Sequence, residues 1–189
     1  EVITSGGVVT FMHLFDLITQ TEVNSFLVTL ALSGITFFFV FQSFTLGSLA
    51  LIAATFPIVV TFGLMGWLGI PLNPTTMIIA PIILGLATDD SIHFINKLRG
   101  LLPKTENISV AIWETLRQLA PALTFTTLVL VGGMLSLLYS SDSSFQAFGY
   151  LGAFALMCAL FVDLLFIPSV CLLYAKFRAV PRANQEPAN

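Results

Sequence analysis

Two adjacent aspartates, Asp89 and Asp90, interrupt an otherwise apolar stretch that reads Gly85-Leu86-Ala87-Thr88-Asp89-Asp90-Ser91-Ile92-His93-Phe94. The next charged residue is Lys97. At 1.5 Å of rise per residue, both carboxyls lie roughly 11 Å inside the apolar segment. On a helix Gly85, Asp89, His93 and Asn96 share one face, while Asp90 points about 100° away, beside the line of Phe94 and Lys97. An apolar medium disfavours a charged carboxylate, and a neighbouring carboxyl disfavours a second charge, so such a pair suits the uptake and release of a proton. Asp89 and Asp90 are therefore the expected proton relay. Thr88 and His93 are its expected support, with His93 one turn from Asp89 and placed to orient that carboxyl or to stand at the mouth of the path. The competing structural reading has Asp89 capping a broken helix, or pairing with Lys97 or Arg99 by snorkelling.

Asp163 is the other acid within an apolar run. Counted from Ser144, and Asp90 from Pro74, the two fall within about a turn of the same depth. Two readings fit it: a further member of the proton path, or an anchor holding its helix against a hydroxyl of Thr124, Thr126 or Thr127. Pro168 has no N–H for the carbonyl of Leu164, which predicts a kink there. His13 lies in a separate amphipathic segment and reads as a solvated surface residue. Cys158 and Cys171 would stand roughly 20 Å apart along one helix, too far for a disulfide. No Cys and His spacing matches a metal site, and no cofactor is expected beyond a proton gradient.

These acids must be positioned by membrane-spanning helices. Of 189 residues, 57% are hydrophobic and only 9% charged, well short of the charge a water-facing surface carries. The 66 residues between Glu22 and Asp89 contain no Asp, Glu, Lys or Arg. No soluble fold keeps that much chain from water, and a net charge of −3 with few basic residues argues against nucleic-acid binding. Turn signals at Gln42-Ser43 and at Gly69-Ile70-Pro71-Leu72-Asn73-Pro74 divide the run. The expected fold is all-α, a polytopic bundle of five transmembrane helices at about 24–41, 49–68, 75–96, 120–139 and 145–174. An outer amphipathic lead-in helix occupies 1–22, with Met12, Phe15 and Ile18 on its apolar stripe, and a cytoplasmic interfacial helix occupies about 108–119. Residues 176–189 form a polar tail. The Gly132-Gly133 pair and Gly85 read as helix-packing positions.

Direction follows from the basic residues. Lys97, Arg99, Lys104 and Arg117 lie between spans three and four, and Lys176, Arg178 and Arg182 follow span five. With five spans both groups fall on one side, which the positive-inside rule assigns to the cytoplasm. The amino terminus is then outside and the carboxyl terminus inside, in a multi-pass protein of the inner membrane.

A GIPLNPTT turn, a span carrying DDSIHF, a basic amphipathic loop, TFTTLVLVGG and a final VDLLFIPSV occur in that order. Together they resemble the resistance–nodulation–division (RND) superfamily, and within it the mycobacterial-membrane-protein-large and hopanoid-exporter-like permeases. The likeness covers the last five of the six helices in one half of such a transporter, and the same unit is similar to a sterol-sensing domain. It implies a proton-driven exporter of hydrophobic or lipid-like molecules rather than an enzyme, with Asp89 at the relay position and Asp90 in the place after it. The polar carboxyl end suggests the second half of the transporter. The implied partners are membrane lipids, a hydrophobic substrate and the other transporter half, supplied by missing sequence or a second chain; nucleic acid is not among them. The alternative is a lipid-sensing or structural subunit that uses the same five helices without transport.

Overall fold

Hydrocarbon offers no water to a backbone N–H or C=O, so a chain this apolar is driven into helices that satisfy their own hydrogen bonds. The computed structural model describes residues 2–105 and 107–173, and every regular element among them is helical. Five of these helices are long and apolar enough to cross a membrane. The polar segment at 176–189, with Lys176, Arg178 and Arg182, lies outside the described residues.

Helix α1 runs unbroken through Val2–Phe41. No proline or turn signal separates the lead-in at 1–22 from the first span, so both belong to one helix about 60 Å long, twice the thickness of the hydrocarbon. It ends where Gln42 takes a left-handed φ of 50°, and α2 (Phe44–Leu68) returns antiparallel to it. Gly69 closes α2 at a φ of +69°, a conformation open to a residue without Cβ, and the N–H of Ile70 donates to the Met65 carbonyl at 2.9 Å. In the following turn Asn73 caps the short helix α3 (Pro74–Met77): its Oδ1 accepts from the Thr76 N–H, and the Thr76 hydroxyl accepts from the Asn73 N–H. Pro81 has no N–H for the Met77 carbonyl, and the helix breaks at Ile78 before resuming as α4 (Ile79–Leu101).

A single turn at Leu102–Lys104 leads to α5 (Ile108–Ser136), which passes through Pro121. The interfacial segment at 108–119 and the fourth span are therefore one helix. Asp142 caps α6 (Ser143–Phe161) by accepting from the Ser144 N–H at 2.7 Å. Helix α6 continues through a π turn at Val162–Phe166 and a further helical stretch at 167–173.

Helix α4 lies at the centre and packs against α1, α2, α5 and α6. Around it α1 packs on α2, α2 on α6, and α6 on α5, forming an arc whose two ends are α1 and α5. Phe37, Met65, Ile83, Leu84, Leu151 and Leu156 are the largest apolar side chains wholly enclosed. The closest helix crossing is between α5 and α6. A Cβ on Gly149 would stand 2.7 Å from the Met134 carbonyl oxygen, and one on Gly152 would stand 3.1 Å from the Met134 sulfur. Gly85, Gly132 and Gly133, expected as packing positions, make no close approach among the described helices. A Cβ at any of the three meets nothing within 4 Å, because each faces away from the neighbouring helices.

Replacing Gly149 with Val pushes a β-carbon into the α5 backbone and should destabilise the protein by about 1–3 kcal/mol. Gly132→Ala should instead be neutral or stabilise by up to about 1 kcal/mol, since it only removes backbone entropy from the unfolded chain. Thermal unfolding of both variants in detergent checks the contrast.

Candidate functional site

The acidic segment of α4 is divided by the period of the helix. One face turns into the bundle, where Ala87, Thr88, Ser91, Phe94 and Ile95 are buried. The opposite face carries Gly85, Asp89, His93 and Asn96, all exposed. Its exposure marks the side of α4 that the described helices leave uncovered. Asp89 and His93 are about equally open, at 65% and 66%, and the His93 Nε2 stands 3.6 Å from the Asp89 Oδ1. Neither Lys97 nor Arg99 forms an ion pair with Asp89 among the described residues. Asp89 also caps nothing, because α4 continues for three turns beyond it.

Asp90, one residue on, is half-buried on the flank of α4. The π turn that carries Asp163 packs against α4, the helix of Asp90. Asp163 is only 4% exposed, and its Oδ2 finds no hydrogen-bond partner among the described residues. Backbone geometry accounts for that placement. Pro168 cannot donate to the Leu164 carbonyl, and one residue earlier the Ile167 N–H reaches past its usual partner to the Val162 carbonyl. The kink expected at Pro168 is thus taken up as a π turn, which is wider than an α turn and holds Asp163 against α2 and α4. The threonines of α5 do not anchor its Oδ2: Thr126 donates to the carbonyls of Ala122 and Leu123 in its own helix.

Thr88 is engaged elsewhere. Its hydroxyl lies 2.7 Å from the Leu84 carbonyl and 3.0 Å from the Ser33 hydroxyl of α1. It therefore ties α4 to α1 rather than touching a carboxyl. Ser33 has no counterpart among the residues expected from the sequence. An isolated serine in a long apolar helix is the only signal that marks it, and its partner is 55 residues away in the chain. His13 is exposed on the far part of α1.

The expected site residues thus differ in how far the bundle encloses them. Asp89 and His93 form an open pair, Asp90 is half-buried on the flank of α4, and Asp163 is enclosed. No group of three or more His, Cys, Asp or Glu side chains among the described residues is arranged to hold a metal ion. Carboxyls at membrane depth with an imidazole beside them have one chemistry in common, which is to take up and give up protons.

The sequence model of the MMPL family matches residues 2–188, essentially the whole chain. No curated protein matches it.

The Thr88–Ser33 hydrogen bond lies within the membrane-spanning part of the bundle, where such bonds contribute modestly. A double-mutant cycle with Thr88→Val and Ser33→Ala should give a coupling of about 0.6 kcal/mol in reversible unfolding, and no more than about 1.7 kcal/mol.

Proposed function

The chain belongs to the MMPL family and is a membrane domain of an RND-type transporter, and from that premise we propose that it is the membrane part of the carboxyl-terminal half of a proton-driven exporter. Asp89 and Asp90 are its proton relay. The observation that carries this reading is the open polar stripe on α4. A charged Asp facing lipid near the middle of a span costs about 2.5–3.5 kcal/mol on insertion scales, so such a face needs a protein cover or a water-filled path. The described helices leave that side of α4 bare, and the other transporter half is the natural cover. Gly85, with open space in front of it, lets that cover approach closely.

In this mechanism Asp89 exchanges protons at the junction of the two halves, and His93 holds its carboxyl in place. Asp90 and Asp163 extend the path inward. A proton leaving one carboxyl passes to the next, directly or through water, and the donor returns to carboxylate. The unpartnered Oδ2 of Asp163 is an acceptor waiting for such a proton. Protonation changes the charge between α4 and the π turn, which is the step that couples proton flow to helix movement. The basic end of the bundle, with Lys97, Arg99, Lys104 and Arg117, faces the cytoplasm, and the amino end of α1 projects from the outer face of the inner membrane.

A hydrophobic or lipid-like cargo agrees with the surface of the bundle. Between α1 and α2 an open groove of about 520 Å³ is walled by Phe38, Phe39 and Phe44. It offers no charged group to a polar solute.

Asp89→Asn is the decisive variant. Because Asp89 packs against no other helix of the bundle, the substitution should leave membrane insertion and thermal stability unchanged. It should reduce export and the accompanying proton flux to background. Unimpaired export by this variant overturns the relay and favours a lipid-sensing or structural subunit.

A further inference from the structure

Helices α5 and α6 are pinned together towards one end and spread at the other. The pin is the crossing at Gly149 and Gly152, where Met134 lies against the α6 backbone. Towards the basic end Pro121 interrupts the hydrogen bonding of α5, and the π turn widens the continuation of α6. Between them opens a groove of about 740 Å³, walled by Trp113, Arg117, Phe125 and Leu128 of α5 and by Leu164 and Leu165 of the π turn.

Three features of this groove say what fills it. First, its chemistry is graded: Arg117 and Trp113 stand at the mouth, and the floor is almost wholly apolar. Arginine and tryptophan at the end of a span are the residues of the headgroup boundary. Second, Arg117 forms no ion pair among the described residues, so its charge is available to an outside anion. Third, the length fits one leaflet. From Arg117 to Leu128 the helix rises roughly 16 Å, about half the thickness of the hydrocarbon. A protein helix laid here would continue across the other leaflet, where α6 already occupies that side of α5.

We propose that the groove between α5 and the π turn binds one anionic phospholipid, with its phosphate at Arg117 and an acyl chain along Phe125 and Leu128 against Leu165. The site is separate from the carboxyls and holds whether or not the chain moves protons. It also touches the π turn from its outer side, while Asp163 occupies the inner side of the same turn. A seated lipid therefore steadies the backbone that presents Asp163.

The test uses the intact protein, stripped of lipid in detergent and titrated separately with phosphatidylglycerol and phosphatidylcholine, with bound lipid counted by native mass spectrometry. Phosphatidylglycerol should bind more tightly, and its advantage should shrink with added salt. Arg117→Gln should weaken phosphatidylglycerol about fivefold, the value of one basic side chain towards an anionic lipid surface, and weaken phosphatidylcholine less, because its own choline cation already offsets the phosphate charge. Leu128→Trp, which fills the floor of the groove, should weaken both lipids. Arg117 and Leu128 are exposed, so unchanged melting temperatures confirm that neither variant has unfolded. Equal binding of the two lipids, or a phosphatidylglycerol preference that survives Arg117→Gln, overturns the proposal. So does the absence of any retained lipid, the result expected if another protein segment covers the groove.

Discussion

Water is absent from hydrocarbon, and that single fact sets the terms for every polar atom on α4. Ser91 and Thr88 meet it by donating their hydroxyls to carbonyls one turn back. Carboxyls have no such local remedy. Asp89 is left on an open face, Asp90 on a flank and Asp163 enclosed with an unpartnered oxygen. Placing three acids at similar depth, on helices that otherwise bury alanine, isoleucine and leucine, is unfavourable for a merely structural bundle.

The described bundle leaves one side of the acid-bearing helix open. Helix α4 is covered on three sides and bare on the fourth, and the bare side is where the polar stripe lies. Much of α1 is exposed and apolar along its length, and α5 buries little more than Ala111, Ile112, Thr115, Leu123 and Thr127. The enclosed core lies instead among α2, α4 and α6. That division separates an enclosed centre, against which the turn carrying Asp163 packs, from the more exposed α1 and α5.

Prolines and a π turn shape the helices where function needs irregular backbone. Pro81 sets the break before α4, Pro121 lies where α5 begins to part from α6, and Pro168 is accommodated by the turn that carries Asp163 inward. Each removes one hydrogen-bond donor, and the neighbouring backbone adjusts. None of these irregularities would be stable facing lipid without the packing of adjacent helices or a change of hydrogen-bond register.

Hydrophobicity and turn chemistry act locally, so five helices and the turns at Gln42 and Gly69 were legible in the sequence. The shared face of Gly85, Asp89, His93 and Asn96 was legible as well, since it follows from 3.6 residues per turn. Which way that face points was not, because orientation depends on neighbours distant in the chain. The same holds for Thr88, whose partner Ser33 is on another helix, and for Gly132 and Gly133, whose small size permits close approach but does not require it. Gly149 and Gly152 make the tight crossing because Met134 happens to meet them there. Pro168 announced a missing hydrogen bond, yet only packing against α2 and α4 decided that a π turn would absorb it and bury the carboxyl. Local composition thus determined what crosses the membrane and which residues are costly there; tertiary contacts alone decided which of those residues are enclosed and which are left open.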